Sequence, residues 1–307
     1  FFAPRFLLYV TPPLCLLAAH GLMRLRWVGA ALAVALAVAW FTLLPEARGP
    51  LVAPEEDLRP LASTLSEMAQ PSDAVVVGYT WQEGALSLYA PDLAAPHYLG
   101  WYTRENVADE LAALWRQHPR IWLLSYRVPE RHATNPAGSW LGENALRALV
   151  QQHGDSRLTL YLPPCPEDWA SGAGVAFEEG LSLEYVPADV AAQPGEFVLV
   201  RLRWGVAEAP PEGYIAFLHL LGPDGQVVSQ VDGAPRNGLR PFTTMPPNGR
   251  LAECRALWVP SGAPAGAYPI EVGLYDSATG RRLRVADGPQ AGADHLILGA
   301  AQVGASR

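Results

Sequence analysis

WVGAALAVALAVAWFTLL, residues 27–44, is eighteen consecutive residues without a charge or a proline. As an α-helix rising about 1.5 Å per residue it reaches roughly 27 Å, close to the hydrocarbon thickness of a bilayer. It is apolar on every face and carries Trp27 and Trp40 near its ends, so the sequence predicts a lipid-facing span rather than a buried core helix. Upstream, Phe6 to Met23 forms a second apolar segment, interrupted by Pro12 and Pro13. It reads either as a kinked span or as a helix that starts at the prolines with Thr11 as its cap. The basic residues follow this segment and a second apolar run comes after them, which argues against a cleavable signal peptide. Arg24 and Arg26 lie between the two segments. The positive-inside rule puts that short loop in the cytoplasm and everything beyond Leu44 outside the membrane.

The remainder changes pattern twice. After a Pro- and Gly-containing linker, Leu58, Leu61, Leu65 and Met68 recur at helical spacing before the apolar run Ala74–Val77. Asn106 to Gln117 repeats the helical pattern and precedes the run Ile121–Leu124. A third cycle is read with Leu146, Leu149 and Val150 on a helix and Leu158–Leu162 as a strand. Helices alternating with short β-rich runs predict a small α/β domain with a mainly parallel sheet, over residues 55–166. Beyond a turn-rich passage the period becomes two: Val198, Val200, Leu202 and Trp204 alternate with Arg201 and Arg203. Tyr214–Leu221 and Val227–Val231 flank Pro223-Asp224-Gly225 as a hairpin. The series predicts an antiparallel β-sandwich over residues 172–302. The expected fold is thus multi-domain: two N-terminal transmembrane helices within residues 1–45, the α/β domain and the C-terminal sandwich.

Composition excludes several chemistries. All 22 basic residues are Arg, so there is no Lys for a Schiff base or a Walker A loop. A net charge of −8 without a basic cluster speaks against nucleic acid as a partner. Of the three cysteines, Cys15 lies in an apolar segment, and Cys165 and Cys254 are far apart. No CxxC pair is present, and the latter two can form a disulfide in an oxidising space or stay as two thiols. The seven histidines are scattered, with no two at metal-ligand spacing, and no nucleophile elbow or dinucleotide fingerprint occurs. No catalytic residue, metal site or cofactor is therefore expected in this stretch of chain.

Two features can meet a ligand. Tyr79-Thr80-Trp81-Gln82-Glu83-Gly84 and Tyr98-Leu99-Gly100-Trp101-Tyr102 both follow strand-like runs, and the carboxyl ends of strands are where open α/β sheets bind ligands. Trp81, Glu83, Trp101 and Tyr102 form the candidate substrate-facing patch, set against the reading that the aromatics simply pack the domain rim. Arg5, beside the first apolar segment, either snorkels to the headgroups or holds a lipid phosphate.

The strings PRFLLYVTPPLCLLAAHGL, VVVGYTWQEGALSLYAP and HYLGWY, in this order around a last span, resemble the C-terminal end of bacterial membrane glycosyltransferases of the GT-C class, similar to protein O-mannosyltransferases and aminoarabinose transferases. PAGAYPIEVGLYDSATGRRL looks like a sandwich appended to some of them. The resemblance implies transfer of a sugar from a polyprenyl-phosphate donor to an extracytoplasmic acceptor, with the lipid bilayer as a further partner. It also implies an acidic catalytic loop upstream of Phe1, so that this chain is the C-terminal part of a longer protein and not a catalyst alone. Arg5 matches an Arg that precedes a Pro-containing span in that family. The competing expectation is a non-catalytic, membrane-anchored binding protein with a carbohydrate- or protein-binding sandwich.

Overall fold

A computed structural model describes residues 11–47, 54–100, 105–127, 135–166, 169–170, 172–187, 189–208, 213–236 and 238–304. The chain divides into two compact units, Phe1–Pro54 and Glu55–Arg307.

The first unit holds α1 (Thr11–Arg24) and α2 (Arg26–Ala47). Pro12 and Pro13 fall in the first turn of α1, where their missing N–H groups would be unpaired in any helix. The helix breaks at Leu25, and Gly29 of α2 lies so close to the Leu22 carbonyl that a β-carbon there would overlap it. The expected pair of transmembrane helices is corrected by the helices themselves. Among the described residues, no helix is long and apolar enough to cross a membrane. With 14 residues, α1 rises about 21 Å, against roughly 30 Å of hydrocarbon core. The run 27–44 lies within α2, which opens at Arg26, takes in Glu46 and approaches α1 at Gly29.

The second unit begins with a five-stranded sheet. Its strands are β1 (Ala74–Val77), β2 (His97–Leu99), β3 (Ile121–Tyr126), β4 (Leu146–His153) and β5 (Ser156–Leu162), in the order β2-β1-β3-β5-β4. Here too the expectation is corrected: the sheet is mixed, not mainly parallel. β1 pairs with β2 and β3 in parallel, whereas β5 pairs with β3 and β4 antiparallel. The segment read as a third helix is β4, and a tight hairpin through Gly154 needs no crossover helix. α3 (Arg59–Met68) precedes the first strand, and crossovers supply α4 (Thr80–Tyr89), α5 (Val107–Gln117) and α6 (Pro136–Asn144). Alternation in β1 and β3 sorts the two faces. Val75, Val77, Trp122 and Leu124 pack with Leu61, Leu65 and Leu86, while Val76, Ile121 and Leu123 pack with Leu111, Leu114 and Leu141.

One buried carboxylate ties the starts of β1 and β3 together. Asp73 is fully buried and accepts from Arg120 Nε at 2.8 Å, Arg120 Nη2 at 2.7 Å, Trp122 Nε1 at 2.9 Å and the Gln70 amide at 2.9 Å. A charge buried this deeply persists only with such complete hydrogen bonding.

The sandwich follows as β6 (Ala173–Phe177), β7 (Leu181–Tyr185), β8 (Val190–Ala192), β9 (Phe197–Val206), β10 (Tyr214–Leu221), β11 (Val227–Gly233), β12 (Gly249–Trp258), β13 (Gly266–Asp276), β14 (Val285–Asp287) and β15 (Leu296–Val303). The sheets run β11-β10-β13-β15-β8 and β12-β9-β7-β6-β14. Every pairing is antiparallel except β15 with β8. The period-two reading of β9 holds: Val198, Val200, Leu202, Trp204 and Val206 are buried in the sandwich core.

Strand β12 joins the sandwich to the mixed sheet. On one face Glu253 accepts from Trp204 Nε1 at 2.7 Å, the Arg236 amide at 2.8 Å and Arg255 Nε at 3.0 Å. Arg255 reaches across to the opposite sheet and donates to the carbonyls of Ala216 at 2.7 Å, Val231 at 3.0 Å and Gly233 at 2.8 Å. On the other face Cys254 and Ala256 pack against the core of the mixed sheet, together with Phe197. Cys254 is disulfide-bonded to Cys165, just beyond β5, across 89 residues of sequence. The two cysteines are thus a pair, the alternative that the sequence left open.

Closing a loop of 89 residues makes the disulfide worth about 2–4 kcal/mol. Cys254→Ser is expected to lower the unfolding free energy from urea titration by that amount, and an unchanged value would contradict the staple. Asp73→Ala, which strands Arg120, is expected to cost about 3–5 kcal/mol in the same assay.

Candidate functional site

The carboxyl ends of β1 and β3 carry a cluster of aromatic rings. β1 ends at Val77, Gly78 and Tyr79 follow, and α4 starts at Thr80. The turn is held by Gln82, whose Oε1 accepts from the Gly78 and Tyr79 amides, each at 3.1 Å. Its Nε2 is buried without a partner. This cap fixes the first turn of α4 and with it the two candidate residues that follow, Trp81 and Glu83.

Trp81 is 43 % exposed. It lies 6.3 Å from Tyr79, stacked, and 5.2 Å from Tyr126, edge-on; Tyr79 and Tyr126 meet edge-on at 6.1 Å. The sequence reading missed Tyr126. The signal was present in the pairing, because β1 and β3 align Val77 with Leu124 and two further residues on each strand place Tyr79 opposite Tyr126. The Arg127 guanidinium stands 5.2 Å from the Tyr126 ring and pairs with Asp155 at 3.0 Å. Arg127 holds a left-handed backbone, φ 52°, which costs a non-glycine residue of order 1–3 kcal/mol. Desolvation, chiefly, raises the Tyr126 phenol above its ordinary value, so this hydroxyl stays protonated at neutral pH. It donates to Glu56 Oε1 at 3.5 Å.

Glu83 is exposed on α4, and no described side chain pairs with its carboxylate. Trp101, Tyr102 and Arg5 lie outside the described residues. The structure therefore brings Trp81 together with Tyr79 and Tyr126, with Glu83 farther along the same helix.

Beside this edge, β2 and α5 border a cavity of 390 Å³ lined by Tyr98, Leu99, Asn106, Glu110 and Gln117. Tyr98 Oη lies 2.8 Å from His118 Nε2, and His118 Nδ1 lies 2.9 Å from the Ser72 carbonyl. Only a neutral imidazole with its proton on Nδ1 satisfies both contacts with Tyr98 as donor. His118 is a bonded structural residue.

The partly exposed Trp81 face, with Tyr79 and Tyr126 behind it, offers a surface on which a ring can pack. Among the described residues no histidine hydrogen-bonds a serine hydroxyl, and no group of three His, Cys, Asp or Glu could hold a metal ion.

No protein-family model matches the chain, and no curated protein does. Among solved structures it is similar to the C-terminal domain of wzt, at 11% identity over 47% of this chain and 82% of that one, with a TM-score of 0.27. It is also similar to an endonuclease/exonuclease/phosphatase from Beutenbergia cavernae DSM 12333, at 14% identity over 60% of each chain, TM-score 0.18. A third likeness, to the beta-glucuronidase of Bacteroides uniformis, has 11% identity over 44% of this chain and 16% of that one, TM-score 0.19. At these TM-scores the likenesses carry no argument about fold or activity.

Proposed function

We propose that this chain is the extracytoplasmic, saccharide-holding part of a glycosyltransferase that uses a polyprenyl-phosphate-linked sugar, and that it binds rather than catalyses. The observation that carries the reading is the partly exposed Trp81 face, buttressed by Tyr79 and Tyr126 at the carboxyl edge of parallel strands. The apolar faces of sugar rings pack on such a surface, and neighbouring polar groups fix orientation. Glu83, exposed on the same helix, supplies an acceptor for sugar hydroxyls. The Cys165–Cys254 disulfide supports an oxidising, extracytoplasmic setting, since such bonds persist there and are rare in reducing compartments. The strings that resemble the glycosyltransferase family include the one that forms β1 and α4, which is where the ring cluster sits.

A glycan array probed with the chain tests this. The wild type is expected to bind neutral glycans, Trp81→Ala to lose about tenfold, equivalent to about 1.4 kcal/mol, and Glu83→Gln to lose less. Binding with full affinity by Trp81→Ala would move the ligand elsewhere, for instance to the sandwich, and overturn the proposal.

A further inference from the structure

The hairpin that completes the mixed sheet carries two arginines without acids. Arg147, on β4, and Arg157, on β5, both line a cavity of 80 Å³ shared with Ser125 and Thr159, and a second of 410 Å³ walled by Ser229 and Asp232 of β11. Arg147 has no hydrogen-bond or ion-pair partner among the described residues, and Arg157 donates only to Gln152 Oε1, at 2.9 Å. The one acid on these walls, Asp232, is engaged 3.4 Å from His219 Nε2. Arg255, close by, is spent on Glu253 and three carbonyls.

This is unusual for a chain with 30 acids to 22 arginines, in which the buried Arg255 pairs with Glu253 and the half-buried Arg120 with Asp73. Burial, foremost, and repulsion from Arg157 and Arg255 pull the Arg147 guanidinium below its ordinary value, with Tyr161 opposing. Two like charges held in one confined space are relieved by an anion between them.

The chemistry of the walls narrows the anion. In register Arg147 faces Tyr161 and Arg157 faces Gln152, so their backbones stand four residues, about 13 Å, apart along β5. Two long side chains reaching inward from that distance can grip opposite sides of one small group. Planar guanidinium forks match phosphate oxygens in pairs, and two of them balance a doubly charged group better than a single carboxylate. The hydroxyls of Ser125 and Thr159 add neutral donors on the smaller cavity. Its 80 Å³ is several times the roughly 10–15 Å³ that one water needs, and the 410 Å³ beyond gives room for whatever the phosphate is attached to.

We infer that the cleft between the β4–β5 hairpin and β11 is a phosphate-ester site, with the phosphate held between Arg147 and Arg157. The ester comes either from a soluble sugar phosphate or from a phospholipid headgroup. The inference does not depend on the aromatic edge.

Isothermal titration of the full chain with glucose 1-phosphate, and cosedimentation with phosphatidylglycerol vesicles, test it against Arg147→Gln, Arg157→Gln and the double variant. Binding to glucose 1-phosphate, absent for glucose and weakened about tenfold or more by each single variant, supports the site with a soluble ester. Vesicle binding lost in the double variant, without binding of glucose 1-phosphate, supports it with a headgroup as the source. Thermal melts check that the variants stay folded: each should keep or raise the ligand-free midpoint and lose the upward shift that the ester gives the wild type. No binding in either arm, or binding that the double variant retains, overturns the inference.

Discussion

Successive side chains of a strand point to opposite faces, and β12 uses this to hold two layers at once. Glu253 and Arg255 face the sandwich, where their charges are buried and every strong hydrogen-bonding direction is met by Trp204, Arg236 and the carbonyls of β10 and β11. Cys254 and Ala256 face the mixed sheet, one through a covalent bond and the other through packing. Desolvating an ion pair costs several kcal/mol, so this pair gives little net stability over an apolar substitute. Its effect is on geometry, because Arg255 fits only when both sheets of the sandwich stand at one separation. The cleft that carries Arg147 and Arg157 is bounded by β4 and β5 on one side and by β11 and β12 on the other, so its width is set by the same strand.

The parts of this fold that one element decides locally were legible in the sequence. β9 alternates cleanly because one face is core and the other is not, and β1 and β3 are short apolar runs because helices cover both faces. β4 misled for an identifiable reason. Its register shifts between Arg147 and Leu149, so Leu146, Ala148 and Leu149 fall on the same side and mimic helical spacing. The N-terminal run misled for another, since counting uninterrupted apolar residues does not fix helix bounds, and α1 closes after 14 residues. The cysteine pair was undecidable, because a separation of 89 residues says nothing about distance until β12 is placed beside β5.

The candidate sites divide in the same way. Trp81 and Glu83 could be found from local composition after a strand-like run. Tyr126 required the parallel register of β1 with β3, and the arginine pair required knowing that Val150 and its neighbours form a strand, not a helix. Both sites sit on rigid elements: the rings at the ends of buried strands, the arginines on a hairpin backed by the disulfide-linked layer. Functional side chains held this way need little further ordering when a ligand arrives.

The central claim is that β12 makes the mixed sheet and the sandwich one cooperative body. Native-state hydrogen exchange against urea addresses it directly by comparing amides of β3 with amides of β9 in the oxidised chain. The account predicts that both sets open in a single global event with the same free energy and the same urea dependence, separating only after the disulfide is reduced. Two distinct opening energies in the oxidised protein would contradict it.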